Sequence, residues 1–337
     1  MCPGTHSSNG GKTFEPLGQP RCGDGSPFAF YFTQPEQKTQ EEDKIIIELS
    51  GGGACWDQMT CMMQGSMLKM PNFDFVLGKS CPEVGDPQLL CARTVGDTDF
   101  TEYNMVVIPY CTQDVHLGDA ESNYGVQHAG AHNTYQTLQW VFNNFKDPSH
   151  IVLTGCSAGA TPLPVVYRMV NEHYKARGKD VEVEVIADSP VYLTPPNFMD
   201  NSFENWNHET VMNLIGFDYD AHKDDEHYAT SVLDYVLDNS DESDGFGMFS
   251  HNKDSVSYFY YRAMGGEGGS EAWWSDMDTS WSQLKDDHDN FDVFVADASG
   301  HCSMGLVSEI IMFMKDFLTY IRSPRELTFF CIFIFLT

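Results

Sequence analysis

Ile151-Val152-Leu153-Thr154-Gly155-Cys156-Ser157-Ala158-Gly159 decides how this chain is read. Three aliphatic residues mark a short buried strand, and a G-x-S-x-G turn follows at once. A helical pattern over residues 162–176 comes next. In a strand, sharp turn and helix of this kind, the serine sits on a strained elbow with its hydroxyl clear of the sheet edge. The next N–H, that of Ala158, then points where an oxyanion would develop. Gly155 and Gly159 are expected where the elbow passes neighbouring backbone too closely for a Cβ.

Outward from the elbow, strand and helix patterns alternate. Residues 26–32, 44–49, 105–110, 181–186 and 293–296 read as strands, and 128–145, 162–176 and 310–320 as helices. That alternation predicts an α/β fold with a doubly wound, mostly parallel sheet and helices on both faces. Residues 1–22 read as an irregular N-terminal segment and 23–322 as a single domain. The acidic stretch 188–244 reads as a helical insertion or cap within it. The apolar tail 323–337 is too short to cross a bilayer, which takes about 20 residues, and no membrane span is expected. The acidic run 238–245 is not a calcium loop. With Gly245 as the loop glycine, Ser240 and His251 fall where an Asp and a Glu are required.

The chain has 49 acidic and 19 basic residues, a formal charge of −30. This opposes binding to nucleic acid, which needs clustered Lys and Arg to neutralise phosphate. Hydrophobic residues at 42% and aromatics at 13% suit a globular protein, expected to act as a monomer. Its ten cysteines show no zinc-site spacing. Disulfides and secretion are therefore expected, although residues 1–4 begin neither a basic n-region nor an apolar h-region. Cys156 and Cys302, beside Ser157 and His301, are either small core residues or a bridge.

A serine nucleophile needs a base, and the base needs an orienting carboxylate. His301 is the candidate base, because it follows a buried strand late in the chain, in the order Ser…Asp/Glu…His. Three acids compete to orient it. Asp297 is too near His301 in sequence to reach its far ring nitrogen. Asp188 comes only one strand after the elbow. Asp254 suits a loop after a penultimate strand, and spacing favours it. The Gly51-Gly52-Gly53 loop after the strand ending at Leu49 offers backbone N–H groups. With Ala158 these make an oxyanion hole, each donor contributing about 3–4 kcal/mol in the transition state. The loop lacks the Lys-Ser/Thr of a phosphate cradle. Trp56, Trp273 and Trp274 either line a sugar cleft or pack in the core.

Four segments carry a resemblance: Leu49-Ser50-Gly51-Gly52-Gly53-Ala54-Cys55-Trp56, Ile108-Pro109-Tyr110-Cys111-Thr112-Gln113-Asp114-Val115-His116-Leu117-Gly118, Gly155-Cys156-Ser157-Ala158-Gly159-Ala160, and Ala187-Asp188-Ser189. In this order they resemble the pectinacetylesterase family, which includes the Notum carboxylesterases. The resemblance implies an α/β-hydrolase fold and no cofactor or metal. It implies a Ser157, Asp254 and His301 triad, with Gly52, Gly53 and Ala158 as oxyanion donors. It also implies a carboxylic ester hydrolase acting on acyl, and first of all acetyl, esters of cell-wall or other polysaccharide. The alternative is removal of longer acyl chains from protein or lipid, as in the Notum branch; an inactive carbohydrate-binding protein is a further one. A deep apolar pocket would favour longer chains and a shallow groove acetylated sugars. Two departures bear on that pocket: Ala54 stands where plant members carry Trp, and Ala160 where many members carry Gly.

Overall fold

The computed structural model describes residues 19–35, 44–71, 94–95, 98–99 and 103–302, apart from 192, 196–197, 199–202 and 226. The expected helix 310–320, the tail 323–337 and most of segment 1–22 lie outside the described residues.

Seven strands form the central sheet: β1 (Tyr31–Thr33), β2 (Lys44–Leu49), β3 (Asn104–Ile108), β4 (His150–Cys156), β5 (Glu182–Asp188), β6 (Gly245–His251) and β7 (Phe291–Ala296). Their spatial order is β1-β3-β2-β4-β5-β6-β7. Only β1 runs antiparallel, pairing Tyr31 with Val107; every other neighbouring pair is parallel. The parallel strands read as apolar runs because helices cover them. Ile45, Ile46 and Ile47 of β2 and Ile151, Val152 and Leu153 of β4 are all fully buried. The fold is thus the expected mostly parallel, α/β-hydrolase-like sheet with flanking helices.

Seven helices matter below: α1 (Gln58–Met63), α2 (Gly130–Asn144), α3 (Leu163–Lys175), α4 (His208–Ile215), α5 (Tyr228–Asp238), α6 (Ser255–Ala263) and α7 (Ser270–Asp287). Helix α3 follows the elbow and starts on Pro164 in its first turn, where the missing N–H costs nothing and the fixed φ is already helical. Between β5 and β6 the described chain is helical: a short turn at Phe203–Trp206, then α4, the single turn Tyr219–His222 and α5. One apolar core joins β2 to β7 with these helices; Leu49, Leu153, Val166, Val185, Met212, Leu233 and Phe246 all belong to it.

Several elements differ from the sequence expectation. The first strand is confined to Tyr31–Thr33 instead of 26–32. Strand β6 is implied by the placing of Asp254 but was given no residues, and helices α6 and α7 were unexpected. Gly245 and Gly247 depress the strand signal of β6, yet all seven of its residues are buried between β5 and β7. In α7, Trp273, Met277, Trp281 and Leu284 recur at helical spacing and are buried, but mostly polar residues, Asp276 and Asp278 among them, lie between.

Candidate active site

Because the strands run parallel, the loops at their carboxyl ends gather at one edge of the sheet. Gly51 to Gly53 follow β2, Ser157 follows β4, Asp254 follows β6 and His301 follows β7.

Ser157 has φ +56°, a left-handed backbone that costs a non-glycine residue roughly 1–3 kcal/mol. Cys156 before it is still extended, and Ser157–Gly159 winds one tight turn, closed when Ala160 N–H donates to the Ser157 carbonyl at 2.9 Å. A Cβ on Gly155 would strike the Gly159 carbonyl, and one on Gly159 the carbonyl of Leu49. Both glycines are therefore fixed by the close seat of the elbow on the end of β2.

Asp254 is the N-cap of α6. Its Oδ1 accepts from the N–H groups of Val256 at 2.9 Å and Ser257 at 3.0 Å. Its Oδ2 accepts from Ser257 Oγ at 2.9 Å and lies 2.7 Å from His301 Nδ1. The Asp254 side chain is 0% exposed and that of His301 16%. Burial alone would raise this carboxyl. The hydrogen bond and charge of His301, with the two Ser257 donors, outweigh burial and hold its pKa below the ordinary carboxylate value. An ionised carboxylate only accepts, so Nδ1 of His301 carries the proton and Nε2 is left as the basic nitrogen.

The other two acids are engaged elsewhere. Asp188 is buried and accepts from Ser189 Oγ at 2.8 Å. Asp297 is exposed and paired with Lys253 Nζ at 2.7 Å and Asn252 Nδ2 at 2.9 Å.

Cys156 and Cys302 form a bridge, their Cα atoms 5.5 Å apart. Of the two alternatives left open by sequence, the structure takes the disulfide. Two more join Cys22 to Cys111 and Cys55 to Cys61. The histidine loop is pinned at a further point: Ser189 Oγ accepts the Cys302 N–H at 3.1 Å while the Ser189 N–H donates to the Phe249 carbonyl at 2.8 Å. The Ala187-Asp188-Ser189 segment thus holds the loop of His301.

The glycine loop is held by residues whose role sequence did not reveal. Gly51 packs on the Cys156 carbonyl, and Gly53 has φ +82°. His116 Nε2 lies 2.8 Å from the Ser50 carbonyl. Burial lowers the His116 pKa to about 4 against the smaller opposing effect of that carbonyl, so the ring is neutral and Nε2–H donates. Asp114 in turn accepts from Thr112 Oγ1 at 2.6 Å, Gly130 N–H at 2.8 Å and His116 N–H at 3.2 Å. The Pro-Tyr-Cys segment is a buried clamp on the loop after β2.

Beside Ser157 opens a cavity of about 820 Å³, its mouth included. Gly53, Ala54, Ser157 and Ala158 line it at one end; Trp56, Val115, Leu117, Val165, Phe198, Trp206, Met212 and Val232 make most of its wall. Trp206 Nε1 donates to the Cys55 carbonyl at 3.0 Å, which ties this wall to the glycine loop. Trp56 lines the cavity, whereas Trp273 is buried in the core and neither it nor Trp274 reaches the cavity. Gly52 lies instead against Met67, Tyr110 and Gln113. Among the described residues, two groups with metal-ligand spacing have their sulfurs in disulfides. The third, His150 with Glu182 and Glu184, stands on β4 and β5 at the strand ends away from Ser157.

Comparison with known proteins matches the sequence to one family. The pectinacetylesterase family model matches residues 18–231. The palmitoleoyl-protein carboxylesterase NOTUM of Schmidtea mediterranea is 26% identical over 185 residues, 53% of this chain and 34% of that protein. Pectin acetylesterase 11 of Arabidopsis thaliana is 26% identical over 147 residues, 41% of this chain and 35% of that protein. The chain is thus matched over about a third of the length of these curated relatives. A crystal structure of the Wnt deacylase Notum from Drosophila superposes with a TM-score of 0.63 at 18% identity, covering 92% of this chain and 93% of that one. At that identity the likeness speaks for the fold, while the family model covers well over half of the sequence. The chain belongs to the pectinacetylesterase family.

Proposed function

We propose that this protein is a serine carboxylesterase whose substrates carry an acyl chain longer than acetyl. Ser157 Oγ attacks the ester carbonyl as His301 Nε2 takes its proton. Asp254 holds the ring and the positive charge that develops on it. The N–H groups of Gly53 and Ala158, with Gly52 beside them, receive the oxyanion. The protonated His301 then returns the proton to the leaving alcohol, and water activated by the same nitrogen releases the acid from the acyl-serine.

One observation carries the acyl-transfer reading: His301, paired with Asp254, sits on a loop cross-linked to the Ser157 elbow. A second favours the longer acyl group. The family spans both acetyl and palmitoleoyl ester chemistry by the names of its members, so membership alone does not choose. The cavity beside Ser157 supports the longer group, because its wall is almost wholly apolar and extends to residues of α4 and α5. Each methylene it shelters is worth about 0.8 kcal/mol. The three disulfides among the described residues support an oxidising compartment as the place of action.

The test is hydrolysis of p-nitrophenyl acetate, butyrate and octanoate, with Ser157→Ala alongside. The proposal expects kcat/KM to rise from acetate to octanoate and to vanish in Ser157→Ala. A preference for acetate would return the substrate to acetylated polysaccharide, and activity that survives in Ser157→Ala would remove the mechanism.

A further inference from the structure

Tyr260 stands on α6 and lines the cavity together with Ser157, Gly53 and Ala158. Its hydroxyl lies hard against the glycine loop: a Cβ on Gly53 would collide with it. Ala54 carries only a methyl group there, which leaves room for the phenol to reach the backbone. One side-chain donor faces the Tyr260 oxygen: Gln64 Nε2 lies 3.3 Å away, at the end of α1.

A phenol has one hydrogen to donate and lone pairs to accept with. With Gln64 donating to the oxygen, the O–H is free to turn toward the cavity that Tyr260 lines with Gly53 and Ser157. A donor on the oxygen also polarises the O–H and strengthens it as a donor. Burial raises the Tyr260 pKa, the Ala54 N–H and Gln64 opposing this only in part, so the proton is retained. The geometry points to Tyr260 as a side-chain donor to the ester carbonyl oxygen, strengthening as that oxygen becomes the oxyanion. It completes a hole otherwise made of backbone N–H groups. This inference rests on the serine esterase reading above and adds a catalytic residue to it. It also gives Gln64 a positioning role through the tyrosine.

Tyr260→Phe removes one oxygen and keeps the ring. For p-nitrophenyl butyrate, kcat is expected to fall about 10- to 100-fold with KM within about twofold. Binding of an alkyl trifluoromethyl ketone, which forms a hemiketal oxyanion on the serine, is expected to weaken by the same factor. Gln64→Ala should lower kcat by a few fold and leave the pH profile in place. An unchanged kcat in Tyr260→Phe, or a loss confined to KM, overturns the inference. If that happens while Ser157→Ala is dead, only the tyrosine's role fails. If Ser157→Ala stays active, the esterase reading beneath it fails as well.

Discussion

Cys302 is bonded to Cys156, so the residue after His301 is covalently tied to the residue before Ser157. The bond closes a sequence separation of 146 residues, and loops of that size gain most from a cross-link. Replacing both cysteines with alanine should cost roughly 2–5 kcal/mol of stability by denaturant unfolding. Activity should fall as well, by about 10- to 100-fold in kcat, because small displacements of a base relative to its nucleophile are costly. A normal kcat in a destabilised double variant would show that Asp254 and Ser189 hold the histidine loop without the bridge.

Asp254 has two separable duties. Asp254→Asn keeps an acceptor for the Val256 and Ser257 N–H groups and removes the charge facing His301. It should leave the melting temperature nearly unchanged and lower kcat by about 10⁴-fold. Asp254→Ala should lose the cap too, adding roughly 1 kcal/mol of destabilisation. Comparing the two variants by calorimetry and by ester hydrolysis separates the cap from the chemistry.

Two buried carboxyls away from the reacting serine should make the fold less stable in alkali. Burial raises Glu48 to about 8 and Asp114 to about 7. Glu48 Oε2 is closed off from solvent and has no hydrogen-bond partner among the described residues. Native Glu48 therefore holds a proton that the unfolded chain releases near pH 4. The contribution is full below that pH and declines as pH rises, until the native carboxyl ionises near 8. Glu48→Gln should flatten the fall in urea stability between pH 5 and pH 8 by several kcal/mol. Equal slopes for wild type and variant would refute the assignment.

Acyl length should be set by the wall of the cavity. Ala229 on α5 lines it and is only partly buried. Ala229→Phe should fill space beside Met212 and Val232, cutting kcat/KM for octanoate about tenfold or more while acetate changes by less than about twofold. A parallel loss for both esters would mean that the chain lies elsewhere.

Much of this was legible in the sequence, for reasons that are local. The Ile151–Leu153 run and the Gly155/Gly159 pair declare the elbow, because strand burial and close backbone contact each demand a narrow choice of residue. The geometry also brings together Asp254 and His301, the pair that spacing favoured. What stayed hidden depends on contacts between distant segments. Ser189 and Cys302 meet only in the folded chain, and so do His116 and Ser50. No periodicity marks Tyr260, since its role comes from Gly53 and Ala54 being small. Helix α7 was readable from Trp273, Met277, Trp281 and Leu284, but the polar residues between them masked the stripe. Strand β6 was obscured by its own glycines.

Asp254 begins α6, and Tyr260 stands on the same helix less than two turns later. One inserted residue between them would swing the tyrosine by about 100° around the helix axis, out of the cavity, while the cap and its histidine stayed in place. Evolution and engineering can therefore change this wall by substitution but not by length, because six residues of a single helix act as a ruler between the acid and the pocket.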